Sequence, residues 1–238
     1  MRIIMIRHGD PDYANDTLTQ KGMEEAFALA EYMKTVPVSK FYCSPLGRAR
    51  DTAAFTLKAL DKKAQVLDWL QEFPGHIIEE KTGRYRIPWD LMPAYWTDIS
   101  ELYDKDKWKQ ADIMKNGDVV EVYDKVCNSF DELLASYGYL RDGSYYRAVR
   151  PNRDTIVFFC HFGIQCVLLS HLLNVSPVVL WQGMVCLPTG MTYLATEERE
   201  DGIAYFRCNR FGDLSHLSLA KQKPSLAATF RETRFDIG

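Results

Sequence analysis

Five polar side chains lie at or shortly after the ends of predicted strands. In chain order they are Arg7, His8, Arg48, Glu72 and His161. The parallel strands of an α/β sheet end at one edge, and ligands bind beyond the carboxyl ends of those strands. Residues that are far apart in the sequence can therefore converge here on one ligand.

The chemistry of these side chains suits a phosphoryl group. Guanidinium groups and imidazoles can surround a tetrahedral anion with charge-assisted hydrogen bonds. A neutral imidazole is a competent nucleophile near neutral pH, and a carboxylic acid can protonate a leaving oxygen. The set fits phosphoryl transfer through a phosphohistidine without a metal ion. Taken singly, a histidine or arginine at a strand end is more often structural, so that interpretation stays open beside the catalytic one.

The elements that must position these residues alternate along the chain. Short apolar runs predict strands at 3–6, 41–43, 65–70 and 155–160. Helical spacing predicts helices from Thr19 to about 33, from 46 to about 60, from 118 to about 137, and after His161 to about 173. A hairpin at 139–150 and closing strands at 192–195 and 203–207 complete the pattern. We predict an α/β three-layer sandwich with a mainly parallel central sheet flanked by helices.

The segment from 73 to about 117 is aromatic, charged and irregular. We expect one domain over 1–238, with a largely irregular and helical insertion at about 73–150 that forms a cap over the active-site edge. Most of its aromatic residues should form a core, because they supply much buried area. The residues concerned are Trp89, Tyr95, Trp96 and Trp108, and one or two of them should face the substrate.

Composition excludes several classes of protein. The 238 residues are 47% hydrophobic and carry a net charge of -3, which excludes a mainly disordered chain and gives no reason to expect a nucleic-acid partner. The six cysteines form no C-x-x-C pair, and no apolar stretch is long enough for a membrane span. We expect a cytoplasmic protein with no membrane partner, no metal and no cofactor. The sequence does not indicate the oligomeric state.

Motifs in a fixed order resemble a known family. Arg7-His8-Gly9 is similar to the Arg-His-Gly signature of the histidine phosphatases, the superfamily that includes cofactor-dependent phosphoglycerate mutases. Further segments that resemble family motifs lie at 18–22, 44–53, 70–72, 159–163 and 209–217. The resemblance covers about 1–73 and 154 to the end of the chain, and it leaves the insertion uncovered.

The resemblance implies a role for each matched residue. His8 is implied as the nucleophile that becomes phosphorylated. Arg7, Arg48 and His161 would hold the phosphoryl oxygens and stabilise the charge of the transition state. Glu72 would act as general acid for the leaving group and then as base toward water. Its proton at neutral pH would require a raised pKa.

Other residues could contact the substrate. Asp10 and Tyr13 follow His8 closely, and Asn15 stands one residue later than the phosphate-binding asparagine of many family members. In the insertion, Arg84 and Arg86, together with Lys81 and His76, could meet a second charged group, although a solvated surface is the more common role of such residues. His171 and His216 are expected to be structural.

Departures from the family pattern favour hydrolysis. The mutases carry an Arg-x-Tyr-Gly-type stretch after the acid, whereas Phe73-Pro74-Gly75 follows Glu72 here. The predicted function is therefore a metal-independent phosphatase that hydrolyses a small phosphomonoester through a phosphohistidine. The alternatives are a phosphoglycerate-mutase-type phosphotransferase and, from another class, a catalytically silent module that binds phosphate or a phosphopeptide.

Overall fold

The computed structural model describes residues 1–79, 83–227 and 229. The strands in this part of the chain are β1 (Arg2–Arg7), β2 (Pro11–Asp12), β3 (Thr17–Leu18), β4 (Lys40–Cys43), β5 (Ala64–Val66), β6 (Ile77–Ile78), β7 (Tyr85–Arg86), β8 (Tyr139–Asp142), β9 (Tyr145–Ala148), β10 (Thr155–Cys160), β11 (Met191–Glu200) and β12 (Ile203–Asp213). The helices are α1 (Gln20–Met33), α2 (Gly47–Leu60), α3 (Pro93–Trp96), α4 (Asp112–Lys115), α5 (Val119–Ser136), α6 (Phe162–Leu173), α7 (Pro177–Gly183) and α8 (Ser215–Leu219). Short 3₁₀ turns occupy Asp68–Leu70, Ser100–Tyr103 and Lys107–Gln110.

Among the described residues, eight strands form one mixed sheet in the order β5-β4-β10-β1-β11-β12-β9-β8. The strands β5, β4, β10 and β1 are parallel, and each later neighbour in the order is antiparallel to the one before it. The prediction of an α/β sheet flanked by helices is confirmed, and its parallel strands are the ones that carry the candidate site. The register pairs Arg7 with Cys160, so the chain leaves β1 and β10 side by side.

The sheet is covered on both faces, which explains why β1 and β10 read as continuous apolar runs. Alternate residues of β1 point to opposite faces. Ile4 and Ile6 pack with residues of α1 and α2, whereas Ile3 and Met5 pack with residues of α5 and α6. This arrangement gives helix, sheet and helix layers.

The third predicted strand is shorter than expected. The region 65–70 forms β5, which ends at Val66, and then the 3₁₀ turn at Asp68–Leu70. The chain leaves the sheet edge here because Leu70 turns fully into the core. This turn sets the direction in which Glu72 enters the site.

The expected insertion contributes to the main domain. Strands β8 and β9 extend the central sheet, and α5 packs on α6, so this part of the expected insertion belongs to the main fold. Trp108 is fully buried and Trp89 nearly so, while Tyr95 and Trp96 are half-buried. These residues join the core cluster of α5 and α6 rather than forming a separate small core.

Within the described part of the chain, no helix is both long and apolar enough to cross a membrane.

Candidate active site

His8 lies directly after β1 and is buried. Its backbone N–H donates to the carbonyl of Cys160 across the parallel register, at 2.9 Å. Its ring Nδ1 lies 2.8 Å from the carbonyl oxygen of Gly9. A carbonyl oxygen only accepts, so this contact places the ring proton on Nδ1. Nε2 is thereby left with its lone pair, as a nucleophile requires.

His161 stands beside His8 at the start of α6, with 5.2 Å between the ring centroids. Its Nε2 lies 2.7 Å from Ser44 Oγ, and that oxygen also accepts the N–H of Leu46 at 3.2 Å. Nδ1 of His161 is buried and has no hydrogen-bond partner among the described residues. The second imidazole is thus fixed by Ser44 and keeps one nitrogen for a ligand.

Arg7 is buried at the end of β1, on the floor of a small cavity that Glu72 and Trp89 also line. Its Nη1 donates to the carbonyl of Cys186, which precedes β11. Nε of Arg7 has no partner within the described chain. The guanidinium is therefore oriented by the fold and retains donors for an anion.

Arg48 reaches the same region from the first turn of α2. Its Nη1 lies 2.6 Å from Asp16 Oδ1, and the N–H of Gly47 donates to Asp16 Oδ2, also at 2.6 Å. Asp16 has a left-handed backbone with φ of 49°. A Cβ at position 47 would lie 2.1 Å from the carbonyl oxygen of Asp16, so this close approach requires glycine.

Glu72 lies against the first turn of α6. Its Oε1 accepts the N–H groups of Phe73 at 3.0 Å and Ile164 at 3.3 Å. Burial raises the pKa of the Glu72 carboxyl, and this effect exceeds the opposing effects of those hydrogen bonds, Arg7 and Arg48. A carboxyl with a raised pKa beside an anion site has the protonation that a general acid needs.

The same buried surroundings lower the pKa values of the two imidazoles. Burial lowers the pKa of His8 to about 3, and the positive charges of Arg7 and Arg48 act in the same direction. Burial also lowers the pKa of His161 well below its usual value, with His8 and both arginines adding to the effect. Both rings are therefore neutral over a wide pH range.

Of the residues expected as further substrate contacts, Tyr13 lies beside this cluster. Its ring lies 5.5 Å from the guanidinium carbon of Arg48 and 6.4 Å from the His8 ring, measured to ring centroids. It also lines the small cavity, and its side chain is largely exposed. Tyr13 therefore stands at the mouth of the site.

Asp10 and Asn15 are turned away from the cluster. The Asp10 carboxylate accepts the hydroxyl of Thr19 at 2.6 Å and the hydroxyl of Ser225. Asn15 is exposed, and its Nδ2 donates to Asp12 at 2.8 Å. These hydrogen bonds hold the Asp10 and Asn15 side chains on partners other than His8.

The described cationic residues expected near the base of the insertion also lie outside the cavity lining. Arg86 pairs with Glu79 at 3.4 Å, and His76 Nδ1 lies 2.9 Å from the Asp118 carboxylate. Arg84 is exposed beside β7. Lys81 falls outside the described residues.

The remaining singled-out histidines have structural partners. Nε2 of His171 lies 2.8 Å from the carboxylate of Asp131, and Nε2 of His216 lies 2.8 Å from the hydroxyl of Thr189. Thr189 in turn donates its backbone N–H to the carbonyl of His8. His216 is therefore linked through Thr189 to the backbone of His8.

Sequence reasoning did not assign roles to Ser44 and Asp16. In the sequence Ser44 stands only as the first residue of a motif, and Asp16 directly follows Asn15. The sequence signal for Asp16 is a carboxylate in the loop after His8, and only the folded structure shows its contact with Arg48.

The chain is similar in sequence and in fold to known phosphatases. Adenosylcobalamin/alpha-ribazole phosphatase of Salmonella typhi is 23% identical to this chain over 196 residues, which cover 76% of this chain and 84% of that protein. The fold resembles that of a phosphoserine phosphatase variant from Entamoeba histolytica, solved with phosphoserine, at a TM-score of 0.61 and 19% identity, covering 91% of this chain and 98% of that chain. A mycobacterial glucosyl-3-phosphoglycerate phosphatase matches at a TM-score of 0.60 and 21% identity, covering 89% of this chain and 98% of the other.

The family model described as histidine phosphatase superfamily (branch 1) matches residues 3–138, more than half of the chain. This match includes Arg7, His8, Arg48 and Glu72, and His161 follows it at the adjacent strand end. The chain belongs to the histidine phosphatase superfamily.

Proposed function

We propose that this protein is a phosphatase that hydrolyses a small phosphomonoester through a phosphohistidine at His8. The observation that carries the proposal is the hydrogen bond from His8 Nδ1 to the Gly9 carbonyl, inside a cluster of two arginines, a second imidazole and a carboxyl. This bond directs the lone pair of Nε2 toward the ligand side of the ring. The relatives named above are phosphatases, which agrees with this reaction class.

The first step forms the phosphohistidine. Nε2 of His8 attacks phosphorus, a phosphorus–nitrogen bond forms, and the bond to the ester oxygen breaks. Glu72 donates its proton to the leaving oxygen, so the alcohol departs neutral. Arg7, Arg48 and the free nitrogen of His161 bind the equatorial oxygens, where charge is spread in the transition state.

The second step returns the enzyme to its starting state. The Glu72 carboxylate takes a proton from water, whose oxygen attacks phosphorus while the phosphorus–nitrogen bond breaks. Inorganic phosphate leaves, and both Glu72 and His8 regain their original protonation. Each proton is held by a residue of this chain, so the proposed cycle needs no metal ion.

Hydrolysis is favoured over a mutase reaction by the residues after the acid. A mutase must hold the rest of its substrate while the phosphoryl group returns. Here Phe73 is buried against Trp181, with 5.3 Å between ring centroids, and His76 is bound to Asp118. This stretch therefore supplies packing rather than ligand contacts. A silent binding module is disfavoured because the chain keeps both His8, the proposed nucleophile, and Glu72, the proposed acid.

We further propose a cytoplasmic location. The six cysteines are all free thiols, and most are buried. Unpaired cysteines in this number are typical of a reducing compartment.

The test is phosphate release from a panel of phosphomonoesters in the presence of EDTA. The wild type is compared with His8→Ala and with His171→Ala, a matched histidine variant on α6 that lies away from the cavity. We expect EDTA-insensitive release in the wild type and His171→Ala, and its loss in His8→Ala. Retained turnover in His8→Ala, inhibition by EDTA, or no release by the folded wild type would contradict the proposal.

A separate assay addresses the mutase alternative. With added bisphosphoglycerate, a mutase converts 3-phosphoglycerate to 2-phosphoglycerate. We expect no conversion above the level of the His8→Ala control.

A further inference from the structure

The cavity that Arg7 and Glu72 share is otherwise walled by apolar and aromatic side chains. They are Tyr13, Trp89, Phe162, Val185 and Cys186, from four separate segments of the chain. Convergence of three aromatic rings beside the proposed acid places them where the leaving group must lie. They are therefore candidates for contact with the alcohol part of the substrate.

One wall of this cavity is a packed, buried side chain, and another consists of exposed side chains. Trp89 packs on Phe73 and Trp181, with ring centroids 6.5 and 6.3 Å away, and its six-membered ring would touch any Cβ at position 163, next to Glu72 Oε1. Tyr13 is 63% exposed, and Val185 is 44% exposed. The packed indole of Trp89 thus shares the cavity with Tyr13 and Val185, whose exposed apolar surface a ligand could bury.

The charges of the site are matched to one phosphoryl group. Among the described residues that line the cavity, Arg7 is the one cation, and Arg48 at its border is paired with Asp16. The carboxyl groups near this ligand position are those of Glu72 and Asp16. A second anionic group on the substrate would meet these acids and apolar rings without a counter-ion.

Of the cationic residues expected near the base of the insertion, the described ones, His76, Arg84 and Arg86, do not line this cavity. Arg86 and His76 are engaged with Glu79 and Asp118, outside the cavity lining.

We propose that the substrate's leaving group is an uncharged alcohol that carries an aromatic ring, held between Tyr13 and Trp89, and that esters with a second anionic group are rejected. This proposal rests on the phosphatase function proposed above and names the substrate class of the same site. Offset or edge contacts with both rings supply the affinity, and the absence of a second cation among the lining residues supplies the discrimination.

Four probes that all release a primary alcohol separate the two parts of the proposal. Adenosine 5′-monophosphate and ribose 5-phosphate differ by an aromatic base, whereas glycerol 1-phosphate and 3-phosphoglycerate differ by a carboxylate. We expect kcat/KM to be higher by about tenfold or more for the first member of each pair, the scale of discrimination by a missing apolar contact or an unpaired charge. Ratios near one in both pairs, or faster hydrolysis of 3-phosphoglycerate, would overturn the proposal.

Two variants assign the aromatic preference to named residues. Tyr13→Ala and Trp89→Leu should each lower the ratio of adenosine 5′-monophosphate to ribose 5-phosphate by about fivefold or more, since each removes a face that contacts the ring. Tyr13 is largely exposed, so its replacement does not depend on the core, whereas Trp89 is packed. Tyr145→Ala, which removes an exposed tyrosine on β9, is the matched control and should keep the wild-type ratio. An unchanged ratio in Tyr13→Ala would overturn the assignment to this wall.

Failure of the reaction and failure of the substrate class give different results. If none of the four esters releases phosphate, the phosphatase function fails. The Kd values of the same four ligands, measured by calorimetry, then decide the substrate class on their own. Tighter binding of adenosine 5′-monophosphate than of ribose 5-phosphate supports the proposal, and equal affinities overturn it.

Discussion

The carboxylate of Asp16 binds Arg48 Nη1 at 2.6 Å and thereby connects the loop after His8 to the first turn of α2. The same carboxylate accepts the N–H of Gly47. Desolvation alone would raise the pKa of Asp16, yet the hydrogen bonds from Gly47 and Arg48 outweigh it and hold this pKa below its usual range. Asp16 therefore remains ionised and orients a guanidinium that the proposed reaction needs. In this role it is a positioning residue.

Asp16→Ala should raise KM by about tenfold, because a charge-assisted hydrogen bond contributes about 1.5–3 kcal/mol and the site is partly exposed. We expect a smaller change in kcat, since the guanidinium can still reach a bound phosphoryl group. Steady-state kinetics with one ester measure both constants. Asn15→Ala is the control, because Asn15 is exposed and bound to Asp12, and it should change KM by less than about twofold. Equal effects of the two variants would remove Asp16 from this role.

Glu72→Gln should slow alkyl phosphates far more than p-nitrophenyl phosphate. General acid catalysis contributes about 10²–10⁴-fold, and a poor leaving group depends on it most. We expect kcat to decrease by about 10²-fold or more for an alkyl ester, and phosphoryl transfer from the nitrophenyl ester to change much less. Pre-steady-state release of nitrophenol measures that step. The same loss for both esters would show that Glu72 does not protonate the leaving oxygen.

The pH profile should report the opposite pKa shifts of the acid and the nucleophile. Burial raises the pKa of Glu72, so kcat/KM should decrease as pH rises through that raised pKa and the acid loses its proton. Burial and Arg7 lower the pKa of His8 to about 3, so no protonation of His8 should limit the rate until the pH approaches that value. Glu72→Gln should lack the alkaline decrease for an alkyl ester, while the ionisation of the substrate itself affects both proteins alike. An identical alkaline limb in the variant would argue against Glu72 as the acid.

His216 should make the fold sensitive to acid. Burial lowers its pKa from 6.5 to about 4, so the unfolded chain binds a proton at this residue in the range where the folded chain does not. The stability contributed by the neutral ring is present above pH 6.5 and is lost as pH falls toward about 4. A shift of this size corresponds to about 3 kcal/mol. Urea unfolding at both ends of this range should show a smaller loss for His216→Gln than for the wild type, and an equal loss would exclude His216 as a contributor.

Much of the fold follows from the sequence because its central strands are buried on both faces. The uninterrupted apolar runs at β1 and β10 identify them without knowledge of their neighbours. The closing strands β11 and β12 are longer than predicted, since their distal halves are exposed and polar and give no apolar signal. The short elements between β6 and α5 were not predictable, because packing of residues such as Trp108 on distant helices stabilises them.

The sequence likewise indicates some residues of the candidate site, while others become apparent only in the folded structure. The strand ends and the family motifs point to Arg7, His8, Arg48, Glu72 and His161. Strand register brings Arg7, His8 and His161 together, whereas Arg48 comes from the first turn of α2 and Glu72 follows a 3₁₀ turn. The orientation of Asp10 depends on Ser225, more than 200 residues away, and no local pattern encodes that contact. The role of Asp16 depends on its left-handed backbone and on the absence of a side chain at Gly47, which only the folded loop makes visible.

Trapping of the covalent intermediate tests the central claim most directly. Glu72→Gln should slow attack by water, so a rapid alkaline quench after mixing with p-nitrophenyl phosphate should capture the phosphoenzyme, because phosphohistidine is stable in base. Mass spectrometry of the intact chain and of its peptides then locates the phosphoryl group. The account predicts one added phosphoryl group on His8 and none in His8→Ala. Turnover without any phosphoenzyme, or a phosphoryl group on another residue, would contradict it.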